Sequence, residues 1–184
     1  MPDDSSGLAR LSELLVFEKP LVGTAQDIVD LARTSLSRCD GVGIQVLERG
    51  AVDTRATTDP RSFELDTLQD ELDEGPCVAS LRDGARHDLD PVTSDERWPG
   101  FAPLARRTGL VACAAFPLIA YNELMGVLNL YAWPTGGFAG WDRAQCGTFA
   151  RRASHVLVSA RAYARTQVLI ADLEARLASI PGTQ

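Results

Sequence analysis

Cys77 is the residue of this chain best placed to do chemistry. In Glu74-Gly75-Pro76-Cys77 the proline suits a first helical position. The cysteine then falls in the first turn, where the helix dipole favours a nucleophilic thiolate. Cys113, in a long apolar run, could act as a resolving partner. A plainer reading stands beside this one. Cys39, Cys77, Cys113 and Cys146 form no CxxC pair, and buried free cysteines usually serve as small inert apolar residues. His87 and His155 are isolated, and no set of histidines or carboxylates has metal-ligand spacing. Asp70, Glu71, Asp73 and Glu74 form a charge run beside a turn and read as a solvated surface. There is no G-x-S-x-G elbow, no P-loop and no Rossmann glycine fingerprint. The residues therefore assign no catalytic group, no metal and no known cofactor, and the chain is expected not to be an enzyme.

The chain has 184 residues, of which 45% are apolar, enough for one domain with a real core and a helical extension. Its 25 acidic against 18 basic residues give a formal charge of −7. Such a surface repels phosphate backbones and anionic lipid, so neither nucleic acid nor membrane is expected as a partner. The longest apolar run, Leu110 to Tyr121, contains a proline and falls short of the ~20 residues a spanning helix needs. MPDDSSG has no basic or apolar signal region, so a cytoplasmic location with reduced thiols is expected.

The elements that would position these residues follow from periodicity and breakers. Leu8, Leu11, Leu14 and Leu15 give a short N-terminal helix ending before Pro20. Thr24 is the expected N-cap of a second helix carrying Ile28, Val29, Leu31, Ala32 and Leu36. Residues 41–48 and 51–57, joined at Arg49-Gly50, form an antiparallel hairpin. Residues 58–73 give a helix with Phe63, Leu65, Leu68 and Leu72 as its apolar face, and residues 76–83 give a short helix closed by Gly84. Residues 85–89 read as an edge strand. Residues 90–99 are a loop with Ser94 or Asp95 as a cap, and 99–107 are a helix closed by Gly109. Two apolar runs around Asn122-Glu123 form a central hairpin covered on both faces. After the break at Gly136-Gly137, residues 140–179 read as one helix of about 38 residues. Together these elements predict an α/β (α+β) domain with a mostly antiparallel sheet of about five or six strands, flanked by helices.

The last helix has an apolar seam at Phe149, Val156 and Tyr163 that resumes at Ile170, Leu173 and Leu177. The spacing is heptad-like, with one skip around Thr166-Gln167. The first half must cover the sheet, whereas the second projects and calls for a partner. A homodimer through the terminal helices is the simplest solution.

QDELDEGPC (69–77), DERWPGFAPLARRTGL (95–110), AAFPLIAYNELMGVLNLYA (114–132) and FAGWDRAQCGTFA (138–150) occur in an order that resembles the GAF family of sensor domains. The resemblance covers residues 20–165 and is similar to the GAF portion of actinobacterial GAF-ANTAR transcription antitermination regulators. In those proteins an RNA-binding ANTAR bundle follows. No basic helical bundle lies within this chain, so direct RNA binding is not expected of it. The chain is thus divided into residues 1–19 (lead and short helix), 20–165 (GAF-like domain) and 166–184 (helical extension, with no output domain).

The resemblance implies a ligand pocket between one sheet face and the segments that connect the two hairpins. Alternation along the last strand puts Met125, Val127, Asn129, Tyr131 and Trp133 on one face and Gly126, Leu128, Leu130 and Ala132 on the other. Cys77, Trp98, Phe101, Phe116, Asn129 and Tyr131 are therefore the candidate lining of a site for an unknown small molecule. The alternative is that the aromatics fill a core. Cyclic-nucleotide-binding members carry an Asn-Lys…Phe-x-x-x-Asp-Glu pattern. Asn122, Phe138 and Asp142 match it, but Glu123 and Arg143 replace the lysine and the glutamate, so its ion pair is not expected here. Some members hold haem, for which His87 is the one candidate ligand, and it stands alone. The expected function is regulatory: ligand or partner binding signalled through a helical dimer, in transcription regulation or signal transduction. The alternatives are a free methionine sulfoxide reductase-like enzyme using Cys77, or a purely structural dimerisation module.

Overall fold

The computed structural model describes residues 10–11, 20–36, 38–48, 50–92, 96–133, 138 and 142–179, with the side chains of residues 53 and 54 excepted. Most of the expected N-terminal helix, the Ser94 or Asp95 cap, the Gly136-Gly137 break and residues 180–184 lie outside these.

The elements in chain order are α1 (Leu21–Ser35), β1 (Gly41–Glu48), β2 (Ala51–Thr57), α2 (Pro60–Leu72), α3 (Pro76–Asp83), β3 (His87–Leu89), α4 (Phe101–Arg107), β4 (Ala112–Ala120), β5 (Glu123–Ala132) and α5 (Arg143–Ala178). The five strands pair in the order β2-β1-β5-β4-β3, and every pairing is antiparallel. This is an α+β fold with a strand count inside the expected range.

Local chemistry sets the helix ends. Thr24 does not cap α1, which begins directly after Pro20, and the Thr24 hydroxyl instead donates back to the Pro20 carbonyl at 3.2 Å. Pro20 sits at the cap in extended backbone, a conformation its ring favours. Asp59 caps α2 by accepting from the amides of Arg61 and Ser62 at 3.0 and 3.2 Å. Helix α3 starts with Pro76 and stops at Gly84, whose φ of 66° suits glycine. Asp142 caps α5 through the amides of Ala144 and Gln145. The 36 residues of α5 make a rod of about 54 Å.

The sheet separates two unlike layers. On one side Val42, Ile44 and Val46 of β1 and Leu128, Leu130 and Ala132 of β5 pack with α1 and the first half of α5. On the other side Tyr131 and Trp133 pack with Leu65 of α2, with Trp98, and with Phe101, Ala102 and Ala105 of α4. Beneath α3, Cys77, Ala115 and Val127 form a small adjoining cluster.

One part of the expected alternation fails. Met125 packs with the α1 and α5 side, not with Val127 and Tyr131. The β4–β5 register shifts between Leu118 and Ile119, passing from Leu118↔Gly126 to Ile119↔Leu124 and leaving Met125 unpaired. The bulge turns Met125 over.

Candidate functional site

The face of β1 toward α2 carries Gly41, Gly43 and Gln45, each one strand from Tyr131, Asn129 and Val127 of β5. The two glycines let α2 come very close. A Cβ at residue 43 would lie 2.2 Å from Asp66 Oδ2, and one at residue 41 would lie 2.2 Å from Ser62 Oγ. The helix face turned to the sheet is therefore Ser62, Leu65, Asp66 and Gln69, all buried. It is not the expected Phe63, Leu65, Leu68, Leu72 stripe. Phe63 is exposed, and Leu68 and Leu72 are only half-buried. Polar residues win this face because bare β1 backbone leaves room for short hydrogen-bonding side chains and little apolar surface to pair with.

A connected polar layer results. Asp66 Oδ1 accepts from Asn129 Nδ2 at 2.7 Å and from the Tyr131 hydroxyl at 2.5 Å. Gln69 Nε2 donates to the Tyr131 oxygen at 3.1 Å, and Gln69 Oε1 accepts from the Cys77 amide at 2.8 Å. At its edge Gln45 Nε2 donates to Asp70 at 3.3 Å, and Arg55 pairs with Asp70 at 2.5 Å. Asp66 Oδ2, Gln45 Oε1, Asn129 Oδ1, Ser80 Oγ and Trp133 Nε1 are buried with no hydrogen-bond partner in the protein. Leaving such groups unmet is costly, so this layer is where a ligand or water is expected.

Burial governs the titration here. It pushes the Asp66 carboxyl up to about 7, against the opposing pull of the Tyr131 and Asn129 hydrogen bonds. It also pushes Tyr131 well above the usual phenol range, with Asp66 adding to the effect. Cys77 follows the same logic. Its thiol is raised well above the ordinary value by desolvation and then by Asp66, so burial overrides the helix dipole. Cys113 is raised too, by desolvation first.

Of the candidate lining, Tyr131, Trp98 and Phe101 share one apolar cluster, Asn129 joins Tyr131 on Asp66, and Cys77 lies beside them under α3. Phe116 does not join them. It pairs with Leu128 across β4–β5 and packs on the α1 and α5 side. Asp66, Gln69 and Gln45 were missed by the sequence reading. The signal was the alternation Gly41, Gly43, Gln45 opposite Val42, Ile44, Val46, a small and polar face on an otherwise apolar central strand.

The other candidates take structural roles. His87 Nε2 bonds Asp83 at 2.8 Å and its ring meets Trp98 edge-on at 6.1 Å. His155 packs edge-on against the exposed Tyr121. Asp142 caps α5, Phe138 is buried in the α1 and α5 core, and Arg143 pairs with Asp88. The charge run is only partly a solvated surface. Asp70 binds Arg55, and Glu74 Oε2 accepts the Gly100 and Phe101 amides at 2.7 and 2.9 Å, capping α4 from 27 residues away. Among the described residues no cluster of three or more metal-ligating side chains occurs, and no helix is long and apolar enough to cross a membrane.

On α5, Phe149 and Val156 are not available to a second chain. Both are buried in their own domain, where they cover the sheet. Tyr163 is half-buried. Beyond it Val168, Leu169, Ile170, Leu173 and Leu177 are 69, 62, 42, 57 and 68% exposed.

Residues 18–158 match the GAF domain family. The chain belongs to that family. No curated protein matches it in sequence. Among solved structures it is similar to the GAF domain of an Acinetobacter phosphoenolpyruvate-protein phosphotransferase, at 16% identity and a TM-score of 0.62, covering 90% of this chain and 99% of that one. It is also similar to a domain of a two-component sensor histidine kinase protein from Sinorhizobium meliloti 1021 (19%, 0.60, 79% and 96%). A third similar structure is the free methionine-R-sulfoxide reductase of Neisseria meningitidis in complex with its substrate (12%, 0.60, 86% and 90%). At these identities the likeness shows the fold alone.

Proposed function

We propose that the chain is a sensory and regulatory GAF domain that binds a small molecule against the Asp66–Asn129–Tyr131 layer and signals through α5. The observation that carries this reading is the contrast between the two faces of the sheet. One is sealed mainly by apolar side chains of α1 and α5, with the buried Arg161 at its edge. The other buries several polar atoms that the protein leaves unpartnered. A ligand that pairs with those atoms would favour one seating of α2 on β1 over another, as a switch requires. The exposed apolar residues of the distal half of α5 support a homodimer in which that bias reaches an output partner. Transcription regulation of the GAF-ANTAR kind, or signal transduction more broadly, is the setting proposed. Native mass spectrometry of gently purified protein tests this. A dimer carrying extra mass supports it. A bare monomer that no metabolite pool stabilises against heat overturns it.

We propose further that the chain is not an enzyme. All four cysteines are buried, and Cys77 is held protonated by its surroundings, the wrong state for a nucleophile. Thiols that stay unreactive toward a disulfide reagent until the chain unfolds would support this. Turnover of free methionine sulfoxide that is lost in Cys77→Ser would overturn it.

A further inference from the structure

We propose that the ligand of this layer carries a protonated amine, received by Asp66 together with Asn129 and Gln45. The inference rests on the sensor reading and narrows it to a chemical class.

Asp66 is a buried carboxyl whose two hydrogen-bond partners, Asn129 and the Tyr131 hydroxyl, are both neutral. The charged groups that influence it are Asp70 on its own helix, which adds negative potential, and Arg55 of β2, already paired with Asp70. Toward it from β5, α3 and β4 come Tyr131, Cys77 and Cys113, all kept neutral by burial. Among the described residues the carboxyl therefore has no cation in contact with it. A buried carboxylate in that condition must either acquire a positive partner or hold its proton.

Of the five unpartnered atoms of the layer, Trp133 Nε1 is a donor, Ser80 Oγ can serve either way, and the other three are of one kind. Asp66 Oδ2, Asn129 Oδ1 and Gln45 Oε1 are all acceptors. They belong to a small patch of sheet. Gly43, under Asp66 Oδ2, is the cross-strand partner of Asn129, and Gln45 is two residues further along the same face. Same-face neighbours on a strand are about 7 Å apart, the scale of a single head group. Three acceptors and an uncompensated carboxyl are the complement of an ammonium, which brings three N–H donors and one positive charge. An anion placed against Asp66, Asn129 Oδ1 and Gln45 Oε1 would meet oxygen acceptors and keep the carboxyl protonated, without gaining a cation for it.

Binding then exchanges one proton. The neutral carboxylic acid of Asp66 becomes carboxylate as the ammonium arrives, and its proton goes to solvent. No bond to carbon forms or breaks, and nothing is oxidised. The affinity for an ammonium must rise as pH rises through the titration of Asp66.

The test uses the full chain and simple probes. Thermal unfolding is followed at about pH 6 and about pH 8 in methylammonium or ethanolammonium chloride, against tetramethylammonium and sodium chloride at matched ionic strength. At ten times its dissociation constant a primary ammonium is expected to raise the midpoint by about 4 °C, more strongly at the higher pH, with no such rise in Asp66→Asn. An equal response to tetramethylammonium or sodium, or an undiminished rise in Asp66→Asn, overturns the proposal. If that variant does not fold, the carboxyl carbon resonance of Asp66 in the unmodified chain decides. Its titration midpoint must fall when methylammonium is added, and an unmoved midpoint overturns the proposal. A co-purified molecule without an amine would likewise overturn it while leaving the sensor reading intact, so the two fail separately.

Discussion

The Tyr131 hydroxyl donates to Asp66 Oδ1 at 2.5 Å, joining β5 to α2 across 65 residues of sequence. This bond makes the two sides of the sheet chemically distinct. It also ties the seating of α2 to the protonation of a single carboxyl, and the first expected outcome follows from that.

Folding raises the Asp66 carboxyl from its ordinary value of 3.8 to about 7. Between these limits the folded chain binds more protons than the unfolded one. The contribution of Asp66 to stability is therefore fully present below about pH 4 and is lost as pH rises through about 7. Integrated over that shift the loss is on the order of a few kcal/mol. In Asp66→Asn the amide keeps an acceptor for Tyr131 and does not titrate. Urea unfolding at a series of pH values is expected to show the wild type losing stability from about pH 4 to about pH 7, with the variant flatter and the more stable of the two at the alkaline end. Parallel curves would show that folding leaves the Asp66 carboxyl at its ordinary value.

Two glycines separate packing from intrinsic propensity. Gly43→Ala drives a Cβ to 2.2 Å from Asp66 Oδ2, so α2 must lift. A cost of about 2–3 kcal/mol is expected. Gly23 lies inside α1, and a Cβ there meets nothing within 4 Å. Gly23→Ala is expected to stabilise by about 0.5–1 kcal/mol. Denaturant midpoints of the two variants should move in opposite directions.

Much of this architecture was legible because local signals agreed. The GVGIQVLE hairpin, the Pro76 start and Gly84 stop of α3, and the unbroken stretch that becomes α5 each combine pattern with breaker. The polar layer was not legible, for two physical reasons. Its members lie on elements far apart in sequence, as Gln45, Asp66 and Asn129 do. In addition α2 buries Ser62, Asp66 and Gln69 while exposing Phe63, the reverse of the hydrophobic pattern that assigns a helix face. Met125 and Phe116 illustrate a further limit. Strict alternation misplaces Met125 because a one-residue bulge turns it over. Phe116 shares the aromatic character expected of the pocket lining but packs on the α1 and α5 side of β4.

The two halves of α5 should respond differently to substitution. Leu173→Glu with Leu177→Glu alters side chains already in solvent. The unfolding of the domain should change by less than about 0.5 kcal/mol, while sedimentation velocity reports a shift from dimer to monomer. Phe149→Ala opens a cavity between α5 and the sheet and should cost about 3–5 kcal/mol. A double variant that remains dimeric would place the interface elsewhere.

Arg161 marks the point where the two halves meet. It is 8% exposed, and its guanidinium donates to the Leu47 carbonyl at the end of β1 and reaches Glu123 and Met125 of β5 at 3.5 and 3.6 Å. Both strands are irregular there, β1 between Val46 and Leu47 and β5 at Met125. The arginine thus closes backbone that the ladder leaves open, and it fastens α5 to the sheet where the helix leaves the domain. Arg161→Ala should leave the Leu47 carbonyl unmet, at a cost of about 1–3 kcal/mol. The effect should be directional. Amide hydrogen exchange is expected to quicken in α5 from about residue 161 onward, while the segment around Phe149 and Val156 stays protected by its own core packing. Arg161→Lys keeps a donor and a charge but not the planar fork, so partial protection should return. Uniform loss of protection along the whole helix would mean that Arg161 supports the domain globally and does not act as the fastening of its projecting half.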